Sequence, residues 1–175
     1  ITGITTGGPT GPPFNNCATP TSTPIPGGLA SCAPLTIFAR PPVIVKSFVP
    51  GSIQPNGTST LTFTITNPNP VLTPALPPLT GIGFSDTLPG GMTVVNPANF
   101  SNTCGGTFTP QPLTPATTTI QLSGVQLNAG QSCVVSFNVT ASGIGSICNT
   151  TSVVSSTEAG NGPASTACLT IAGPP

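Results

Sequence analysis

Between residues 58 and 67, Leu61, Phe63 and Ile65 alternate with Thr60, Thr62, Thr64 and Thr66. A period of two puts the apolar groups on one face of a strand and the threonines on the other. Residues 132–140 repeat the pattern with Cys133, Val135, Phe137 and Val139 on one side. Residues 43–49 are β-branched and stop at Pro50-Gly51, and residues 82–86 stop before Leu88-Pro89-Gly90-Gly91. Residues 92–95, 106–109 and 117–122 are shorter strand candidates, and residues 147–155 and 168–172 predict a terminal hairpin turning around residues 158–163. Asn67-Pro68-Asn69-Pro70 ends the strand before it. Strands recur with turn signals between them and no helical period occurs, which predicts an all-β chain folded as an antiparallel β-sandwich over residues 41–175.

Residues 1–40 differ in kind. Gly7-Gly8-Pro9, Gly11-Pro12-Pro13 and Thr23-Pro24-Ile25-Pro26-Gly27-Gly28 rule out helix and make poor strand material. The stretch reads as an extended N-terminal arm with a loop closed between Cys17 and Cys32.

Charge limits the function. The 175 residues hold two basic and two acidic side chains (Arg40, Lys46, Asp86 and Glu158) and no histidine, tyrosine or tryptophan. General acid–base catalysis needs groups that titrate near working pH, and histidine is the usual one. The chain is therefore not expected to be an enzyme, and no catalytic residue is assigned. Two basic residues cannot neutralise a phosphate track, so nucleic acid is not an expected partner. No cofactor is implied. Zinc sites show close cysteine pairs, none of which occurs here, so no metal is expected either. No apolar run approaches the roughly 18 residues of a membrane helix, and membrane insertion of the mature chain is not expected. The chain begins at Ile1, which suits a mature secreted chain relieved of its leader. Six cysteines agree with an extracellular, cell-surface location, because disulfides persist outside the cytosol.

Six phrases fall in a familiar order: Lys46-Ser47-Phe48, the run from Thr60 through Asn67, Phe84-Ser85-Asp86-Thr87-Leu88-Pro89-Gly90-Gly91-Met92, Asn102-Thr103-Cys104-Gly105-Gly106, Ala129-Gly130-Gln131-Ser132-Cys133, and Asn149-Thr150-Thr151 followed by Ser156-Thr157-Glu158. Together, over about residues 42–172, the chain resembles the DUF11-like immunoglobulin-type repeats of prokaryotic surface proteins. The resemblance implies an immunoglobulin-like sandwich, an extracellular setting, a structural or adhesive role and no enzymatic activity. It also implies that Cys104 pairs with Cys133. Cys148 and Cys168 lie equally far on either side of Glu158, so a hairpin turning there sets them opposite each other, which leaves Cys17 with Cys32.

The single lysine admits three readings. Lys46 is an exposed edge-strand lysine that discourages pairing, or a partly buried ion-pair partner of Asp86, or the nucleophile of an intramolecular isopeptide bond to an asparagine such as Asn149, with Asp86 as a protonated proton shuttle. Burial disfavours charge on amine and carboxyl alike and would make both roles available. Four sequons, at Asn56, Asn99, Asn138 and Asn149, are candidate glycosylation sites. Asn138 points outward by strand parity and Asn56 sits in a turn. A glycan and an isopeptide bond at Asn149 exclude each other.

These features predict a structural subunit of an extracellular, pilus-like filament. Copies of the chain would be its partners, joined by donor-strand insertion of the arm, with Ile1, Ile4, Leu35 and Ile37 as candidate donor side chains. Covalent glycans would keep so uncharged a surface soluble. The alternative is a spacer or adhesin module of a larger surface protein. The absence of Tyr and Trp lowers the adhesin version, since carbohydrate sites favour aromatic platforms.

Overall fold

The computed structural model describes residues 38–72 and 75–173, and the backbone of residues 14–18 and 31–35. In the arm, β1 (Phe14–Ala18) and β2 (Ser31–Leu35) form an antiparallel hairpin with Cys17 opposite Cys32. The arm was expected to be poor strand material, and here it is not. The Gly/Pro density falls in the segments between these two strands and before them, while Phe14-Asn15-Asn16-Cys17-Ala18 itself contains neither residue. The side chains of Cys17 and Cys32 lie outside the described residues.

The remaining strands are β3 (Val43–Val49), β4 (Ser52–Ile53), β5 (Thr58–Thr66), β6 (Leu79–Thr87), β7 (Met92–Val94), β8 (Ser101–Asn102), β9 (Thr107–Thr109), β10 (Thr119–Leu127), β11 (Ser132–Ala141), β12 (Gly145–Thr150), β13 (Ser155–Ser156), β14 (Gly160–Asn161) and β15 (Thr166–Ile171). One sheet runs β3-β5-β11-β7, with β8 also on β11. A second runs β14-β13-β6-β10-β9, and a third β12-β15-β4. Pairing is antiparallel throughout except between β15 and β4. The chain is an immunoglobulin-like β-sandwich.

The alternating strands fold as their period dictates. In β5 and β11 every second side chain is buried, and Leu61, Phe63, Ile65, Val135, Phe137 and Val139 are wholly enclosed. The first two sheets meet through their aromatic rings: Phe63 of β5 lies 5.0 Å from Phe84 of β6, and Phe108 of β9 lies 6.4 Å edge-on from Phe137 of β11. Each such side chain contributes about 1.5–3 kcal/mol by leaving water.

Two disulfides brace this core. Cys104 pairs with Cys133 of β11, and Cys148 with Cys168 across the β12–β15 ladder. Asn67 and Asn69 do more than end a strand. Both are buried: Asn67 Nδ2 donates to the Leu127 carbonyl, and Asn67 Oδ1 accepts from the amide of Asn69. Asn69 also exchanges hydrogen bonds with the backbone N–H and carbonyl of Arg40. The root of the arm is thereby tied to the core.

The free edge of β3 is covered by the segment before β15. The Lys46 N–H donates to Ser165 Oγ, and Gly162 lies so close to the Pro42 carbonyl that no side chain fits there.

Candidate functional site

Alternation along β3 decides where the lysine goes. Ile44, Lys46 and Phe48 share the buried parity, whereas Val45 and Val49 face solvent. Lys46 therefore occupies a core position, and the edge-lysine reading is overturned. The signal was present in the sequence, since Ile44 and Phe48 flank Lys46 at two-residue spacing. The mixed composition of the strand, with Val45 and Val49 equally apolar, obscured which face was inward.

Lys46 Nζ donates to Asp86 Oδ1 at 2.7 Å, and both side chains are completely shielded from water. Asp86 lies near the end of β6, so the pair spans the two facing sheets. The second carboxylate oxygen, Oδ2, accepts from Asn149 Nδ2 at 2.8 Å. Asn149 lies on β12, where the backbone bridge between Asp86 and Thr151 brings that strand against β6. Three residues separated by 40 and 63 positions thus meet on one carboxylate. The Phe63 ring closes the pocket, its centroid 5.1 Å from Lys46 Nζ, and Phe63 is also the register partner of Lys46.

Burial pulls the Lys46 amine below its usual 10.5, because the charged form loses its hydration; the hydrogen bond and charge of Asp86 push back. An amine, a carboxyl and a carboxamide are therefore held together in a dry site, with each reactive nitrogen on its own oxygen of Asp86. Removing Lys46 or Asp86 alone would leave an uncompensated buried charge, a change that costs about 3–5 kcal/mol.

The remaining charged residues lie apart. Arg40 is exposed at the arm root. Glu158 accepts from the amide and the hydroxyl of Thr80. Among the described residues no cluster of three His, Cys, Asp or Glu could hold a metal ion.

The sequons divide. Asn56 and Asn99 are exposed in left-handed turn conformations, and Asn138 is half-buried on the outer face of β11, its Oδ1 accepting from Thr60. Asn149 must be withdrawn as a glycan site: it is buried, and its Nδ2, the atom a sugar would modify, is bonded to Asp86. Of the donor-strand candidates, Leu35 stands opposite Phe14 in the arm hairpin. Ile1, Ile4 and Ile37 lie outside the described residues.

A family model described as a domain of unknown function, DUF7933, matches residues 42–171. The chain belongs to the DUF7933 family. The match covers nearly the same span as the sequence phrases that resemble DUF11-like repeats, residues 42–172. No curated protein sequence matches. Among solved structures, this DUF7933 chain is similar to that of BslA, described as a bacterial hydrophobin, with TM-score 0.52 and 16% identity over 78% of this chain and 98% of that one. The collagen-binding domain of a Staphylococcus aureus adhesin aligns with TM-score 0.44 and 12% identity, over 77% of this chain and 97% of that one. At such identities the first likeness speaks for the fold alone.

Proposed function

We propose that this DUF7933 chain is a structural subunit of an extracellular filament, in which the N-terminal arm of one copy adds a strand to the next. The observation that carries this reading is where the four charges sit. Lys46 and Asp86 neutralise each other inside the sandwich, and Glu158 is half-buried and fastened to Thr80, so Arg40 is the one exposed charged residue. A surface so nearly uncharged has little to hold copies apart. Two disulfides fit an oxidising location outside the cytosol.

A partly open sheet edge supports this reading. β10 runs from Thr119 to Leu127, but β9 covers only Gln121, Leu122 and Ser123 of its outer edge, and no other strand among the described residues completes that edge. An extended segment from a neighbour would take up open ladder positions there by backbone hydrogen bonding. Because the donor and acceptor surfaces differ, the contact is head to tail, and successive copies grow as a fibre where the rotation between them does not close a ring.

Electron microscopy of the purified chain tests this. The full chain should form filaments, and the chain lacking residues 1–16 should stay monomeric while retaining both sandwich disulfides. A monomeric full chain, or a truncated chain that polymerises as well as the full one, would overturn the reading and leave the spacer or adhesin module.

A further inference from the structure

We infer that Lys46 and Asn149 become joined by an intramolecular isopeptide bond, with Asp86 moving the protons. The placement of three groups carries this. One carboxylate holds the amine on Oδ1 and the amide nitrogen on Oδ2, at 2.7 and 2.8 Å, and all three side chains are buried. A buried carboxylate needs a donor on each oxygen, and in this protein the second donor is the one side-chain nitrogen whose loss from its carbon would let the lysine take its place. Here the carboxylate bridges the two nitrogens that would have to exchange places on one carbon.

The step balances without any external reagent. Proton transfer within the Lys46–Asp86 pair gives a neutral amine and a carboxylic acid, and burial favours the neutral form of the Lys46 amine. The Nζ lone pair attacks Cγ of Asn149, and the carbonyl π electrons move to Oδ1. The Asp86 acid, already facing Nδ2, gives its proton to that nitrogen and takes one from Nζ. Collapse of the oxyanion breaks the Cγ–Nδ2 bond and releases ammonia. The product is a secondary amide between Lys46 and Asn149, with Asp86 protonated as before the attack. The enclosed pocket, walled by Phe63, favours the bond once formed because water needed for hydrolysis is excluded.

The sequence offers a clean assay. Lys46 is the single lysine, and the single arginine, Arg40, precedes Pro41, so Lys46-Ser47 is the one bond open to trypsin. Acylation of Nζ removes that site. The folded chain, reduced and denatured before digestion, should remain whole and weigh one ammonia less than its reduced sequence mass. Digestion with a protease of different specificity should yield a branched peptide containing both Lys46 and Asn149. Asp86→Ala, Asp86→Asn and Asn149→Ala should each restore the full mass expected of the variant and allow cleavage after Lys46. Disulfide formation in each variant, read by mass before reduction, reports whether it has folded. A wild-type chain of full mass that trypsin cuts after Lys46 would overturn the inference. So would an ammonia loss mapping to a cyclic imide at Asn56-Gly57, or folded Asp86 variants that still form the branch.

Discussion

At the scale of single residues, placement decides chemistry more than residue type does. Asp86 and Glu158 are the two carboxylates of the chain, yet one is sealed between sheets and the other sits near the surface on Thr80. Partial burial would raise the Glu158 pKa, but hydrogen bonds from the Thr80 hydroxyl and amide, and from its own N–H, outweigh that and hold it below the usual 4.5. A carboxyl with a lowered folded-state pKa adds stability that is complete above its unfolded value and is lost as pH falls through the folded one. Glu158→Gln should therefore leave a protein whose unfolding midpoint in denaturant changes less between pH 6 and pH 3 than that of the parent (pH values of roughly this range follow from ordinary carboxyl titration). An equal acid sensitivity in both would show that Thr80 does not select the ionised form. Sequence could name Lys46, Asp86 and Asn149 as a candidate set because lysine and aspartate each occur once and all three lie in the phrases that carry the family resemblance. It could not choose among edge lysine, ion pair and bond, because that choice depends on which way β3 faces and on how closely β12 approaches β6.

At the scale of elements, the long alternating strands and the three-residue β7 and β9 were legible, and the two-residue strands were not. Residues 58–66 and 132–140 fold as the pattern predicts, because a strand with one buried face carries its own register in the alternation. β10 was expected to end at Leu122. It continues to Leu127 because Gly124, in a left-handed conformation, makes an irregularity in the ladder with β6 and does not break the strand. The two-residue strands β4, β8, β13 and β14 have too few positions for any period, and tertiary pairing alone creates them. The Asn67-Asn69 knot was read only as a strand terminator, since nothing local reveals that Leu127 and Arg40 lie within reach. The alternation can be tested in one strand: Phe63→Ala should cost about 3–5 kcal/mol in chemical denaturation, as expected for emptying a packed aromatic site. Thr62→Ala, on the opposite parity, should stay within about 0.5 kcal/mol. Similar losses at the two positions would contradict the observed facing of β5.

At the scale of the whole molecule, the cross-links are placed in series. Asn149 follows Cys148 in the chain, and Cys148 is bonded to Cys168 of the last strand. With Lys46 joined to Asn149, a tensile load entering from the arm would cross at Lys46, pass one residue back to Cys148, and leave through Cys168. Pulled end to end in a single-molecule experiment, the oxidised subunit should show no unfolding step from the sandwich. With the disulfides reduced, the stretch from Cys148 to Cys168, a separation of 20 residues, should pay out, lengthening the chain by at most roughly 70 Å. Asp86→Ala should instead release the long segment after Lys46 in a much larger event. A thread of such subunits would transmit strain along a covalent spine, and the hydrophobic interior between residues 47 and 147 would hang beside that spine unloaded, keeping its shape when the strand is drawn taut.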